Sequence, residues 1–198
     1  TPGVTFTHSA ERNWENDTDL PAAVREQGCI DIARQLVETP FGRGFEVLMG
    51  GGRKNFMPVT QRDPEEDDKV GERLDGRDLI TDWKRRHPGG VYAWNKAQLD
   101  AAPLDKPLLA LFQPDHMQFE YERPKDVAGE PSLAEMTRAA IARLSRDQDG
   151  YVLLVEGGRI DHANHYGNAY RALSDTVAMS DAVRAATEAT SPDDTLII

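Results

Sequence analysis

The sequence has no long apolar segment and almost no cysteine. Its longest apolar runs, residues 108–112 and 151–155, are far shorter than the roughly 20 residues that a membrane-spanning helix needs. The chain does not open with a charged region followed by an apolar one, the pattern typical of a secretory signal peptide. Its single cysteine, Cys29, cannot form a disulfide within the chain. We therefore expect no membrane segment in this chain and no internal disulfide framework.

Basic residues are scarce relative to acidic ones. The sequence has 23 Lys and Arg residues against 34 Asp and Glu residues, which gives a formal net charge of −11. Such a chain repels phosphate backbones and anionic lipids, so nucleic acid is not an expected partner. The acidity fits either ordinary extracellular solubility or adaptation to high salt. With 198 residues, of which 39% are hydrophobic, the chain can form one globular domain with a core.

Neither end of the sequence has the features of a natural terminus. The chain begins with Thr1-Pro2-Gly3 and not with methionine, and it stops at residues 196–198 inside an apolar, strand-like run. These two features predict that the 198 residues are a piece of a longer polypeptide.

Helical and strand-like patterns alternate along the chain. Apolar residues at helical spacing predict helices, and short apolar runs bounded by turn residues predict strands. The predicted helices cover residues 20–37, 78–87, 131–146 and 165–190, and the predicted strands cover residues 45–49, 108–112, 151–155 and 195–198. This alternation predicts an α/β fold with a central, mostly parallel sheet flanked by helices. In such folds ligands bind at the carboxyl ends of the strands.

The segment 155–165 carries the clearest signs of chemistry. Asp161 and His165 are four residues apart and share one face of a helix, where a carboxylate and an imidazole suit Zn²⁺. Glu156, at the end of a predicted strand and before two glycines, offers oxygen suited to Mg²⁺. His162 directly follows Asp161 and cannot point in the same direction. It would lie either on the substrate side or behind the metal ligands, in contact with them. The alternative is a polar helix start with an acidic cap, but the strand and the double glycine favour a metal site.

Several motifs along the chain resemble those of alkaline phosphatases, in the same order. They are Arg12-Asn13-Trp14, Gly28-Cys29-x-Asp31-Ile32-Ala33, Gly50-Gly51-Gly52-Arg53-Lys54, Leu111-Phe112-x-Pro114, Glu156-Gly-Gly-Arg-Ile-Asp161-His162-x-x-His165 and Asp193-Asp194-Thr195-Leu196. The resemblance implies that family's α/β fold, hydrolysis of small phosphate monoesters, and a site with two Zn²⁺ and one Mg²⁺. It also implies a serine nucleophile, a phosphoserine intermediate and a metal-activated water that hydrolyses it.

The resemblance assigns roles to individual residues. Asp161 and His165 match ligands of one zinc, and Glu156 and Thr1 match ligands of the magnesium. Arg12 matches the arginine that clamps two phosphate oxygens, a task that suits a planar, permanently charged guanidinium. His162 matches a position close to the phosphate, acting through water. Without the resemblance, Arg12 would be read as a surface residue paired with a neighbouring glutamate.

A further, calcium-binding site is implied by the resemblance to animal-type members. Its ligands align with Glu65, the Phe112 carbonyl, Gln113 and Glu130. Gln113 stands where an acidic residue is expected, so the site would carry less charge and bind calcium more weakly. The alternative is a solvated acidic loop. In this interpretation the chain is a single partial domain over residues 1–198, with a peripheral acidic excursion near residues 58–130.

The remaining machinery of the family has no counterpart in these residues. No serine lies in a Gly-x-Ser-x-Gly turn. The resemblance implies that the nucleophilic serine lies before Thr1 and that further metal ligands lie beyond Ile198, outside this chain. The chain alone should therefore be inactive, and it should be accompanied by the rest of the polypeptide or a companion fragment.

Two other functions remain open at the level of the sequence. The chain could be a non-catalytic metal-binding or interaction fragment, or part of a related metal-dependent phosphodiesterase or sulfatase. The resemblance further implies a homodimer in a periplasmic or extracellular setting, and a disulfide between Cys29 and a cysteine outside the chain.

Overall fold

The computed structural model describes residues 2–40, 42 and 44–198, and these residues form two compact units. Unit 1 comprises Thr1–Trp94 and Pro107–His116, and unit 2 comprises Asn95–Lys106 and Met117–Ile198. The expectation of one partial domain with an excursion near residues 58–130 stays a prediction, although two strands of the sheet, given below, fall within that span.

Unit 1 contains a parallel sheet of three strands. The strands are β1 (Val47–Gly50), β2 (Val91–Ala93) and β3 (Leu108–Leu111), in the order β1-β3-β2. Val47 and Val91 both pair with Leu108, and every pairing is parallel. The central strand β3 is Leu-Leu-Ala-Leu and is buried throughout. A continuous apolar run is typical of a strand covered on both faces, and the predicted α/β fold with a parallel sheet is confirmed.

Helices complete unit 1. They are α1 (Pro2–Thr5), α2 (Ala22–Glu26), α3 (Ile32–Glu38) and α4 (Leu79–Arg86), with a 3₁₀ turn at Arg53–Phe56. Helix α4 lies within the predicted helix over residues 78–87. The side chain of Asp78, just before its first residue, caps it by accepting a hydrogen bond from the backbone of Thr81. The core packs α3 and α4 against the sheet and contains Val37, Trp83 and Leu109.

The predicted helix over residues 20–37 is wrong. The structure has α2 and α3 in its place, separated at Gly28, which has φ of +85°. A right-handed helix cannot continue through that left-handed conformation, which glycine adopts readily. Asp31 then starts α3 by accepting a hydrogen bond from the backbone of Arg34.

Unit 2 is helical. Its helices are α5 (Lys96–Ala101), α6 (Leu133–Leu144), α7 (Arg159–His165) and α8 (Ala169–Ala189), with a 3₁₀ turn at Arg123–Lys125. Helix α6 begins with reciprocal hydrogen bonds between Ser132 and Glu135. It packs on α8 through small side chains, among them Ala182 and Ala185.

The strands predicted at residues 151–155 and 195–198 are not formed. Both segments are described, and neither contains regular secondary structure. A strand requires a neighbour that exchanges backbone hydrogen bonds with it. Within the described residues these two segments have no such neighbour, so the apolar pattern alone does not produce a strand.

Candidate metal and phosphate site

The segment singled out by the sequence is built around α7 in unit 2. Gly157 and Gly158 form the turn that leads into Arg159, the first residue of the helix. A Cβ atom at Gly157 would lie 3.3 Å from the Cβ atom of Met179 on α8. That is closer than most side chains tolerate, so glycine lets the turn pack tightly against α8.

The far end of α7 is also fixed to α8. Ala163 is fully buried, and its carbonyl accepts a hydrogen bond from the backbone of Asn168 at 2.9 Å. The Asn168 side chain in turn accepts from the backbone of Arg171 at 3.1 Å and starts α8. Helix α7 is therefore a short, anchored platform for the side chains on its outer faces.

Asp161 and His165 lie side by side on that platform. Their Oδ2 and Nε2 atoms are 3.5 Å apart, and both side chains are exposed, at 72% and 75%. Two ligands of a tetrahedral zinc, each about 2.0–2.1 Å from the metal, lie about 3.3 Å from each other. The separation seen here is close to that value, so the pair fits two adjacent zinc ligands.

Glu156 lies at the start of the same segment. A Cβ atom at Gly158 would lie 3.5 Å from its carboxylate carbon and 3.7 Å from each carboxylate oxygen. The glycine thus leaves room beside an exposed oxygen donor set of the kind that Mg²⁺ accepts. Across the described residues, no group of three or more His, Cys, Asp or Glu side chains could hold one metal ion. This part of the chain therefore offers partial ligand sets.

His162 points away from this pair, toward Arg159. The Nδ1 atom of His162 and the Nη1 atom of Arg159 are 2.8 Å apart, and the imidazole is half-buried. His162 is thus held by a group on its own helix, one turn earlier.

The other predicted site residues lie elsewhere in the chain. Arg12 belongs to unit 1, in a turn, and is exposed. Thr1, the second expected magnesium ligand, lies outside the described residues.

The residues aligned with a calcium site are already engaged by protein groups. In unit 1, the Glu65 carboxylate accepts from the buried Arg53 guanidinium at 2.8 Å, and the Gln113 carbonyl accepts from the backbone of Arg53 at 3.0 Å. Phe112 is buried beside it. In unit 2, both carboxylate oxygens of the buried Glu130 accept from the backbone of Gln118 at 3.1 Å. A cation at Glu65 would compete with a guanidinium, so these residues fit calcium poorly.

A cluster that the sequence reasoning missed lies beneath α7. The guanidinium carbon of Arg159 is 3.7 Å from the centre of the Phe119 ring, and that of Arg171 is 4.5 Å from the same ring. Arg171 also donates to Glu122 at 2.7 Å. Burial lowers the pKa of Arg159 and raises the pKa of Asp175 on α8. The only signal for this cluster in the sequence is the position of Arg159, three residues before His162.

The chain matches the alkaline phosphatase family over residues 1–198. The chain belongs to the alkaline phosphatase family. It is 43% identical over 209 residues to the membrane-bound alkaline phosphatase of Bombyx mori and 44% identical over 207 residues to the tissue-nonspecific isozyme of Felis catus. Each match covers 100% of this chain but only 36% and 38% of those alkaline phosphatases. The chain thus spans somewhat more than a third of the length of these relatives.

Solved alkaline phosphatases share the fold. The Thermus thermophilus alkaline phosphatase superposes with a TM-score of 0.63 at 35% identity, covering 77% of this chain and 28% of that one. A cold-active alkaline phosphatase from Shewanella sp. gives 0.62 over 94% of this chain and 36% of that one, at 22% identity, which supports the fold alone. Alkaline phosphatases are metal-dependent phosphomonoesterases. Among the described residues, none of the helices combines the length and apolar composition that crossing a bilayer requires.

Proposed function

We propose that this chain contributes metal and phosphate ligands to an enzyme that hydrolyses phosphate monoesters. The observation that carries the proposal is the Asp161–His165 pair, whose ligand atoms are spaced as adjacent zinc ligands on an anchored helix. The family membership supplies the reaction class. In the complete protein, the rest of the polypeptide or a companion fragment would add the serine nucleophile and the remaining ligands.

Each of the chain's own residues has a distinct task in this proposal. Asp161 and His165 hold a zinc ion, and Glu156 with Thr1 holds a magnesium ion. Arg12 binds two phosphate oxygens through parallel N–H donors and so orients the phosphoryl group. His162 lies on the phosphate side and acts through water. The phosphoserine intermediate is part of the same proposal.

The metals supply charge that the protein side chains cannot. When bound, they stabilise negative charge on the phosphoryl oxygens and make water acidic enough to lose a proton near neutral pH. The chain's contribution is to fix two ligand atoms in position before a metal arrives. Such preorganisation costs little free energy when the ion binds.

The first experiment measures turnover of p-nitrophenyl phosphate by the complete phosphatase that carries this chain, at alkaline pH with Zn²⁺ and Mg²⁺. Asp161→Asn and His165→Gln should each lower kcat/KM by more than about 100-fold, because each removes a zinc ligand. Chelation followed by zinc addition should restore the original enzyme and not these variants.

Asp193→Asn is the matched control. It removes an exposed carboxylate from the same unit that has no assigned ligand role. An equal loss of turnover in this variant would show that the assay reports general charge or folding, and would overturn the zinc assignment. Hydrolysis by the 198 residues alone would overturn the proposal that the nucleophile lies outside them.

Exposed apolar side chains of unit 2 favour a surface that other protein covers. Val152, Leu173 and Val177 are all exposed, and no described residue pairs as a strand with residues 151–155. We propose that the rest of the enzyme covers these residues and that the enzyme is a homodimer in the periplasm or outside the cell. Without the rest of the enzyme, the chain would act only as an interaction fragment.

A further inference from the structure

Arg159 and His162 make a contact whose direction is determined by chemistry. Nη1 of Arg159 lies 2.8 Å from Nδ1 of His162. A guanidinium has donors only and stays protonated in proteins, so it cannot accept a hydrogen bond. Nδ1 of His162 must therefore be the acceptor and carry no proton. The proton of a neutral imidazole then resides on Nε2.

Packing against Phe119 fixes the position of the Arg159 side chain. Its guanidinium stacks on Phe119, with 3.7 Å between the guanidinium carbon and the ring centre. The Nε atom is buried and has no hydrogen-bond partner among the described residues, so burial of this guanidinium carries a desolvation cost. Arg171, on the other hand, contacts the same ring but donates to Glu122.

We propose that Arg159 is a positioning residue that keeps His162 in the tautomer with its proton on Nε2, so that His162 presents a hydrogen-bond donor to a phosphate oxygen or to a water bound to it. The role toward phosphate rests on the proposed function. The tautomer does not, since it follows from the contact alone. A histidine fixed in this way presents the N–H of Nε2 as a hydrogen-bond donor to an anion.

The tautomer can be measured without metal or substrate. The full chain is labelled with ¹⁵N at histidine, and long-range ¹H–¹⁵N spectra are recorded about two pH units above the ordinary histidine pKa of about 6.5. His162→Gln assigns the resonances. In the original chain, Nδ1 of His162 should be wholly of the unprotonated, pyridine-like type, whereas the exposed His8 should show a mixture of tautomers.

Arg159→Met is the decisive variant. It removes the donor but keeps a long side chain that can pack on Phe119, and it removes a desolvated charge. His162 should then show the same mixture as His8, and Arg159→Lys, which retains a donor, should restore the single tautomer at least in part. Arg171→Met is the matched control, because it removes the other cation from Phe119 and should leave the His162 tautomer unchanged.

Three results would overturn the proposal. They are a tautomer mixture at His162 in the original chain, an unchanged spectrum in Arg159→Met, and an equal change in Arg171→Met. The last would mean that packing around Phe119, and not the hydrogen bond, sets the tautomer.

A kinetic cycle in the complete phosphatase tests the role toward phosphate. Arg159→Met should lower kcat/KM roughly five- to tenfold, the effect of one lost hydrogen bond. It should have no further effect in a His162→Gln background, because Arg159 acts through His162. Additive losses would overturn the positioning role. If the tautomer is as expected but no phosphate ester is hydrolysed, the proposed function fails and the tautomer assignment stands.

Discussion

The two units treat buried charge in opposite ways. In unit 1, Arg53 and Arg73 are completely buried and each is paired with two carboxylates, Arg53 with Asp63 and Glu65, Arg73 with Asp31 and Asp75. In unit 2, the buried Arg143 donates to the backbone carbonyls of two alanines and has no carboxylate partner among the residues that the structure describes, and burial lowers its pKa.

The buried polar atoms that have no hydrogen-bond partner among the described residues also differ in kind between the two units. Among the described residues of unit 1, such buried atoms belong to the aromatic side chains Trp83, His87 and Tyr92. In unit 2 they belong to the ionisable side chains Glu122, Arg143 and Arg159. An unpaired atom on a charged group costs more free energy than one on a neutral group.

This difference is consistent with the proposal that unit 1 is a scaffold and that unit 2 carries site residues. Paired charges in unit 1 lock loops to the sheet, and breaking a pair leaves a buried charge behind. Several charges in unit 2 are instead exposed, as on Asp161 and His165, or incompletely compensated, as on Arg159. Binding sites commonly keep polar groups in such states, ready for a ligand.

The largest expected effect comes from breaking one pair in unit 1. Asp31→Asn should lower the free energy of unfolding by about 2–3 kcal/mol, toward the low end for a broken buried pair because Asp75 still accompanies Arg73. Asparagine is as good a helix cap as aspartate, so the loss reports the charge. Urea unfolding followed by tryptophan fluorescence measures it, since Trp14, Trp83 and Trp94 all lie in unit 1.

Asp161→Asn provides the comparison from unit 2. Its carboxylate is exposed, so the free energy of unfolding, followed by far-UV circular dichroism, should change by less than about 0.5 kcal/mol. If this variant were as destabilised as Asp31→Asn, the division into scaffold and site charges would be wrong.

The second effect is a loss of stability in acid. Burial acts to raise the pKa of Asp63, but hydrogen bonds from Arg53 and from the backbone of Glu65 and Glu66 outweigh it and hold that pKa below its usual value. A lowered folded-state pKa stabilises the fold above the unfolded-state pKa of about 3.9, and this contribution is lost as the pH falls through the folded-state value.

The loss should be on the order of 2 kcal/mol, as for a typical salt-bridged aspartate. Tryptophan fluorescence across a series of acidic pH values measures it. Asp63→Asn should lack this part of the acid dependence, while remaining less stable at neutral pH. An unchanged pH profile in the variant would assign the acid sensitivity to other groups.

The first and central strands of the sheet, β1 and β3, could be predicted because their signal is local, whereas the short strand β2 was not predicted. The apolar run at residues 108–112 predicts a central strand without reference to the rest of the sequence, and the observed β3 lies within this run. Long-range pairing has no such signal. The sequence of residues 61–77 is polar and rich in turn residues, which is typical of an exposed segment. Asp63 and Arg73 within it are nevertheless buried, through ion pairs with Arg53 and Asp31 outside the segment.

The site shows the same limit. The four-residue spacing of Asp161 and His165 predicts their proximity, because helix geometry alone sets it. The stacking of Arg159 on Phe119 joins residues 40 positions apart, and nothing in either local sequence indicates it. Arg12 and α7 lie far apart in sequence, so the prediction that both bind phosphate or metal rests on the family resemblance alone.

Gly28→Ala tests the break between α2 and α3 by the sign of its effect. Gly28 has φ of +85°, a backbone conformation in which alanine is strained. A Cβ atom there would meet no described atom within 4 Å, so crowding adds nothing to this strain. The variant should therefore be destabilised by about 1 kcal/mol. In the continuous helix that the sequence predicts, the same change would stabilise the chain by about 1 kcal/mol. Tryptophan fluorescence during urea unfolding distinguishes the two.

The smallest expected effect is a gain in unit 2. Burial raises the pKa of Asp175, while attraction to Arg159 opposes this only in part. A raised folded-state pKa means that the ionised form costs stability at neutral and alkaline pH, and that this cost vanishes in acid, where the carboxyl is protonated in both states. Asp175→Asn keeps an acceptor for the backbone N–H of Glu120 and removes the charge.

Asp175→Asn should therefore raise the free energy of unfolding by roughly 0.5–1 kcal/mol near neutral pH and leave it unchanged in acid. Far-UV circular dichroism during urea unfolding at the two pH values measures the difference. Because Asp63→Asn is expected to destabilise unit 1 at neutral pH, the two aspartate variants should have opposite signs. Destabilisation in both would mean that Asp175 is compensated by its surroundings as fully as the paired carboxylates of unit 1.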